Sequence, residues 1–220
     1  MSSLPKAVGV LGGTFNPIHL GHLRAAEEVA EALELEQVRF VPSAEPPHKT
    51  GEALAPARLR LEWVRAAVEG NPRFQVDALE IERGGASYSV DTLRALGEDL
   101  APAHLVFLIG HDAFVEIGSW RDPEAVFELA SFAVMTRPPA VVKSLAEALP
   151  PAAASAFLVG ADGVGRHREA DSWVRLVEIS ALEVSASDVR ARIRAGRSVR
   201  YLLPETIRSA VLQSGAYERP

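Results

Sequence analysis

The chain has 220 residues, 48% of them hydrophobic and 24% charged, enough apolar material for one sizeable α/β domain. Its net charge of -6 excludes a global attraction to nucleic acid or an anionic membrane, and the absence of cysteine excludes a disulfide framework and thiolate chemistry. No basic N-terminal segment precedes an apolar core of signal-peptide length and no run approaches a membrane span, so a cytoplasmic location is expected, without nucleic-acid or membrane partners.

Ala7 to Leu11 is a short apolar run with the β-branched content of a buried strand. It leads into Gly12-Gly13-Thr14-Phe15-Asn16-Pro17-Ile18-His19-Leu20-Gly21-His22, after which Leu23, Ala26, Val29, Ala30 and Leu33 predict a helix from Leu20 to about Leu35. Strand, glycine turn, helix is a plan that favours phosphate. Glycines let the backbone approach a ligand, and the first helical turn offers unpaired N–H groups and partial positive charge. His19 and His22, three apart, lie on one helix face, where each imidazole can donate to a phosphate oxygen. A plain turn and a metal-binding pair are the rival readings. The zinc-protease spacing of four with an intervening Glu is absent, and no Cys can complete a thiolate site.

Gln37 to Pro42 predicts a second strand. The loop from Ser43 to Ala55 carries Pro46-Pro47-His48-Lys49, either a stiff basic projection or a solvated surface loop. A helix from near Pro56 to Val68 is closed by Gly70-Asn71-Pro72. Phe74 to Ile81 alternates like a half-buried strand up to Gly84-Gly85, and Ser89 or Asp91 is placed to cap a short helix containing Val90, Leu93 and Leu96.

Leu105 to Ile109 is the most apolar run, followed by Gly110-His111-Asp112. Asp112 is placed either to meet a ribose beyond the carboxyl end of a parallel strand or to cap a helix. Trp120 offers a stacking surface or a packing cover. A helix over 125–130 and a strand over 132–136, ending at Arg137, continue the alternation of βαβ units. From Ala140 to Trp173 the pattern weakens to surface connections around an Ala-rich helix and a strand at Phe157-Leu158-Val159. Val174 to Ile179 predicts a last strand. Ser185, Ser187 and Arg190 open a helix that is either simply well capped, Asp188 standing three after Ser185, or a second anion site. Gly196 closes it and Pro204 starts a final helix. The reading is a Rossmann-like doubly wound parallel sheet with helices on both faces, one domain over 1–220, and a helical part from about 185 packed on it.

The string from Gly12 to His22 resembles the signature of the cytidylyltransferase-like nucleotidyltransferases, with Asn16 where that family usually has Asp. Further pieces resemble the nicotinate-mononucleotide adenylyltransferases within it: Pro46 to Lys49, Arg83 to Leu93, Ile109 to Asp112 with Trp120, Arg137-Pro138, and Tyr201 to Pro204. The resemblance implies that Gly12, Gly13, Thr14 and Phe15 line ATP phosphates, that His19 and His22 are catalytic, and that Asp112 holds the adenosine ribose. It implies that Ser185, Ser187 and Arg190 bind the triphosphate, and that Ser87, Tyr88, Trp120, Lys49 and Arg137 surround nicotinate mononucleotide. Mg²⁺ is expected to come with ATP rather than on a protein cage, and a homo-oligomer is left open. Ala186, Pro139 and His111 depart from the residues usual at their positions, Ala186 removing one hydroxyl donor.

Overall fold

Strand β1 (Ala7–Gly13) lies near the middle of an eight-stranded sheet in a computed structural model that describes residues 7–47, 54–137, 144–180 and 182–218. On one side it pairs in parallel with β2 (Gln37–Pro42), which pairs with β3 (Phe74–Val76). On the other it pairs with β4 (His104–Gly110), followed by β5 (Ser131–Thr136) and, beyond β5, the strand Trp173–Glu178. A hairpin of β6 (Phe157–Val159) and β7 (Gly165–His167) adds antiparallel to that strand, β8. The order is β3-β2-β1-β4-β5-β8-β7-β6, so the first six strands form a Rossmann-like parallel sheet that reverses direction of growth between β1 and β4.

Both faces of this sheet are covered, which is why its strands read as continuous apolar runs. Leu11, Phe40 and Leu108 face a layer built by α1 (Leu20–Ala32) and α2 (Ala57–Val68), with Val29, Trp63 and Val64 buried in it. Val10, Val41, Phe107 and Ile109 face the other layer, which draws on Leu93, Phe114 and Phe127. Those residues come from α4 (Ser89–Asp99), α5 (His111–Val115) and α6 (Pro123–Leu129), the chain having passed through the short α3 (Leu79–Arg83) before α4. Two one-turn helices, α7 (Leu145–Ala148) and α8 (Pro151–Ala154), precede the hairpin. Finally α9 (Ala186–Arg194) and α10 (Glu205–Gln213) join the first layer through Val189, Ile207 and Val211. Among the described residues no helix is long and apolar enough to cross a membrane.

Three local expectations are corrected. The strand expected through Ile81 stops at Val76, because Asp77 Oδ1 accepts the Leu79 N–H at 3.0 Å and starts the turn of α3, which Gly84 ends at φ 70°. Neither Ser89 nor Asp91 caps α4: Tyr88 holds the cap position, and Asp91 sits inside the first turn facing Arg94 and Arg121. The stretch around Gly165, expected as a surface connection, is the second strand of the edge hairpin.

Candidate nucleotide site

At the point where the sheet order reverses, the helices that follow β1 and β4 pack on opposite faces of the sheet, the arrangement that in open parallel sheets leaves a crevice at the carboxyl ends. The loop after β1 is fastened from below. Phe15 adopts the left-handed region at φ 47°, and its ring is buried against Phe40 and edge-on to His22, so only its backbone can line a ligand. Asn16, 2% exposed, accepts the Ala55 N–H at 3.0 Å and the Tyr217 hydroxyl at 2.6 Å through Oδ1. That one oxygen thus ties the loop to two distant segments.

Arg60, which carries no signal in the sequence beyond its place in a helix, is 1% exposed and spans three carbonyls. It donates to Thr14 at 2.6 Å, Ala44 at 3.0 Å and Ala55 at 2.9 Å. Arg190, expected on triphosphate oxygens, is buried and donates from Nη1 to the Asn16 carbonyl at 2.9 Å. The motif loop therefore sits on two guanidinium groups.

His19 is the N-cap residue of α1, and its N–H donates to His22 Nδ1 at 3.2 Å. Neutral His22 accordingly carries its proton on Nε2. The two rings stack with centroids 3.6 Å apart, too close for both to be protonated. Burial, together with the charge of Arg137, lowers the His19 pKa to about 4, so at neutral pH it is a neutral imidazole. Its Nδ1 is buried and has no hydrogen-bond partner among the described residues. A Cβ on Gly21 would stand 3.0 Å from that atom and 3.4 Å from the Val184 carbonyl oxygen, which fixes α1 close to the segment entering α9.

At α9, Ser185 is the N-cap and accepts the Asp188 N–H at 3.1 Å, while its Oγ is 2.9 Å from Ser187 Oγ. The capping geometry is present, and both hydroxyls are exposed. Asp112 is exposed at the second position of α5, where Gly110 is the cap residue, so it is not the N-cap. Its carboxylate folds back over Gly110, where a Cβ would meet Oδ1 at 2.5 Å.

Ser87 and Tyr88 lead into α4, and Arg121, the neighbour of Trp120, lies over the Tyr88 ring. Ser87 accepts the Ala44 N–H at 2.9 Å and donates to Glu80, so its hydroxyl is committed to the wall. Glu80, missed in the sequence because its neighbours alternate like a strand, is 6% exposed and also receives Thr92. Burial pushes its carboxyl above the usual range, against those hydrogen bonds and the charges of Arg83 and Arg60. Tyr88 and Trp120 are half-buried, Trp120 meeting the edge of Phe107 at 6.1 Å. Arg137 follows β5 at the same edge of the sheet as the glycine turn. Lys49 lies outside the described residues, as do His48, Pro138 and Pro139. Among the described residues no group of three or more His, Asp or Glu could hold a metal ion.

Residues 10–192 match the family model described as cytidylyltransferase-like. A protein of Geobacter metallireducens named "Probable nicotinate-nucleotide adenylyltransferase" is 44% identical over 210 residues, 95% of this chain and 97% of that one. One of the same name from Desulfitobacterium hafniense is 40% identical, over 97% and 96% of the two chains. Among solved structures, the Plasmodium falciparum nicotinic acid mononucleotide adenylyltransferase complexed with NaAD superposes with a TM-score of 0.73. It covers 96% of this chain and 97% of its own at 15% identity, which establishes likeness of fold.

Proposed function

The chain belongs to the cytidylyltransferase-like family, and from that premise we propose that it transfers AMP from ATP to nicotinate mononucleotide, giving nicotinate adenine dinucleotide and pyrophosphate in NAD biosynthesis. The observation that carries this reading is the stacked His19–His22 pair at the start of α1, just beyond the carboxyl end of β1, with Asp112 two residues beyond the neighbouring parallel strand β4.

A phosphate oxygen of the mononucleotide attacks the α-phosphorus of ATP, and the bond from that phosphorus to the β-bridging oxygen breaks, releasing pyrophosphate. The attacking phosphate is already ionised, so no base and no covalent enzyme intermediate are required. The protein aligns the two reactants and neutralises charge. Backbone N–H groups from Gly12 to Phe15 and the imidazoles of His19 and His22 meet the reacting phosphates. A neutral His19 gains most as negative charge collects on a bridging or equatorial oxygen, because its donor stands in a site poor in water. Asp112 accepts from ribose hydroxyls, and Ser185 and Ser187 face the distal phosphates. Arg190 supplies charge beneath the loop while holding its backbone. Mg²⁺ bound to the triphosphate would supply screening of its oxygens, without a protein cage. Tyr88, Trp120, Lys49 and Arg137 take the acceptor, with Ser87 supporting Tyr88.

Pyrophosphate release by purified protein with Mg-ATP, measured in parallel with nicotinate mononucleotide, nicotinamide mononucleotide and phosphopantetheine, tests this. Release favouring the nicotinate compound is expected. Release with none, from folded protein that still binds ATP, would sink the acceptor assignment.

A further inference from the structure

Arg121 directly follows Trp120 in the chain and lies over the ring of Tyr88. Its guanidinium carbon lies 4.8 Å from the centroid of the Tyr88 ring. Nη1 is 3.5 Å from Asp91 Oδ2, an ion pair longer than a hydrogen bond. Among the described residues Arg121 makes no hydrogen bond, so a ring and a distant carboxylate orient the fork and leave its N–H donors uncommitted. Neighbouring Arg94 differs: it donates from Nη2 to Asp122 Oδ2 at 3.2 Å and also faces Asp91 at 4.0 Å. Two arginines and two aspartates thus meet here, and one arginine is held without being satisfied.

We propose that Arg121 is a specificity-determining residue that selects an acid over an amide on the ring of the acceptor. The inference rests on the assignment of Tyr88 and Trp120 to that ring. Trp120 and Arg121 are consecutive and Tyr88 carries the guanidinium on its face, so an aromatic ring settling against this pair brings its substituent to the fork. A carboxylate can accept two parallel N–H donors from a guanidinium and neutralise it. A carboxamide offers one oxygen and turns an NH₂ toward a group that has donors only. Asp91 attracts one nitrogen of the fork from 3.5 Å, and that separation leaves Arg121 able to exchange this partner for a ligand. The side chain is 59% exposed, so water screens the discrimination and keeps it well below that of a buried pair.

The experiment compares kcat/KM for nicotinate and nicotinamide mononucleotides in wild type, Arg121→Gln, Arg121→Lys and Arg94→Gln, with melting curves for each. In Arg121→Gln the acid-to-amide ratio is expected to fall on the order of 10-fold, the scale of one charge-assisted hydrogen bond, mainly through KM for the acid. Arg121→Lys should recover part of the ratio, and Arg94→Gln should leave it within about 2-fold of wild type. An unchanged ratio in Arg121→Gln, or an equal fall in Arg94→Gln, overturns the proposal while leaving the reaction assignment intact. Wild type that turns over neither mononucleotide removes the reaction assignment, and this proposal falls with it.

Discussion

His19 shows how one side chain joins stability to chemistry. In the folded protein its pKa is held at about 4, while an unfolded histidine titrates near 6.5. Between those values the unfolded chain binds the proton and the folded chain does not, so stability rises with pH across the window and is lost as pH falls through it. The full effect is about 3 kcal/mol. His19→Gln should flatten that slope, and urea unfolding at pH 4.5 and pH 7.5 for both proteins measures it. Gly21 is the second residue on which the pair depends. An alanine there puts a methyl group 3.0 Å from His19 Nδ1, and the ring must give way by a few tenths of an ångström. Gly21→Ala should keep its melting temperature within a few degrees and lose about 10-fold in kcat, since small displacements of a positioned donor are costly. Unaltered turnover would mean that the His19 ring has more freedom than its packing indicates.

At the scale of elements, the first turn of α2 acts as a bracket. Arg60 joins the phosphate turn, the segment after β2 and the segment before its own helix, so its loss leaves three carbonyls without their donor. Arg60→Gln should destabilise by about 3 kcal/mol in urea titrations, and Arg60→Lys, with a single ammonium, should recover a minor part of this. None of this was legible in the sequence, where Arg58, Arg60 and Arg65 look alike and nothing distinguishes the one that is buried. The strands were legible for the opposite reason. Residues 105–109 face two packed layers at once, and an uninterrupted apolar run is the signature of that situation. Leu79-Glu80-Ile81 misled because its alternation imitates a strand. The central carboxyl is buried through Thr92 and Ser87, partners that only the tertiary fold supplies. The glycine turn and its histidines could be read because their chemistry is local, whereas Asn16 finds both of its Oδ1 partners far away in sequence.

Across the whole molecule, the helical part that follows the parallel sheet is tied to the site. Val189, Ile207, Val211 and Tyr217 share a core with Trp63 and Val64, and the Tyr217 ring stands 5.9 Å from that of Trp63. Burial raises the Tyr217 pKa, so the phenol keeps its proton and donates to Asn16. Tyr217→Phe keeps the packing and removes the donor. It should lower stability by about 1 kcal/mol with an unchanged m-value in urea, the worth of one hydrogen bond. The edge hairpin is an addition of another kind, extending the sheet beyond β8 at the side away from β3.

The Asn16–Tyr217 bond joins positions 201 apart in the chain, which gives the protein a timetable as well as a shape. On a ribosome the glycine turn is made early, yet it waits for nearly everything else before its last anchor exists. Closing so long a loop is slow and has to precede the reward of the contact. A nascent chain should therefore acquire its parallel sheet well before it acquires a finished grip on nucleotide.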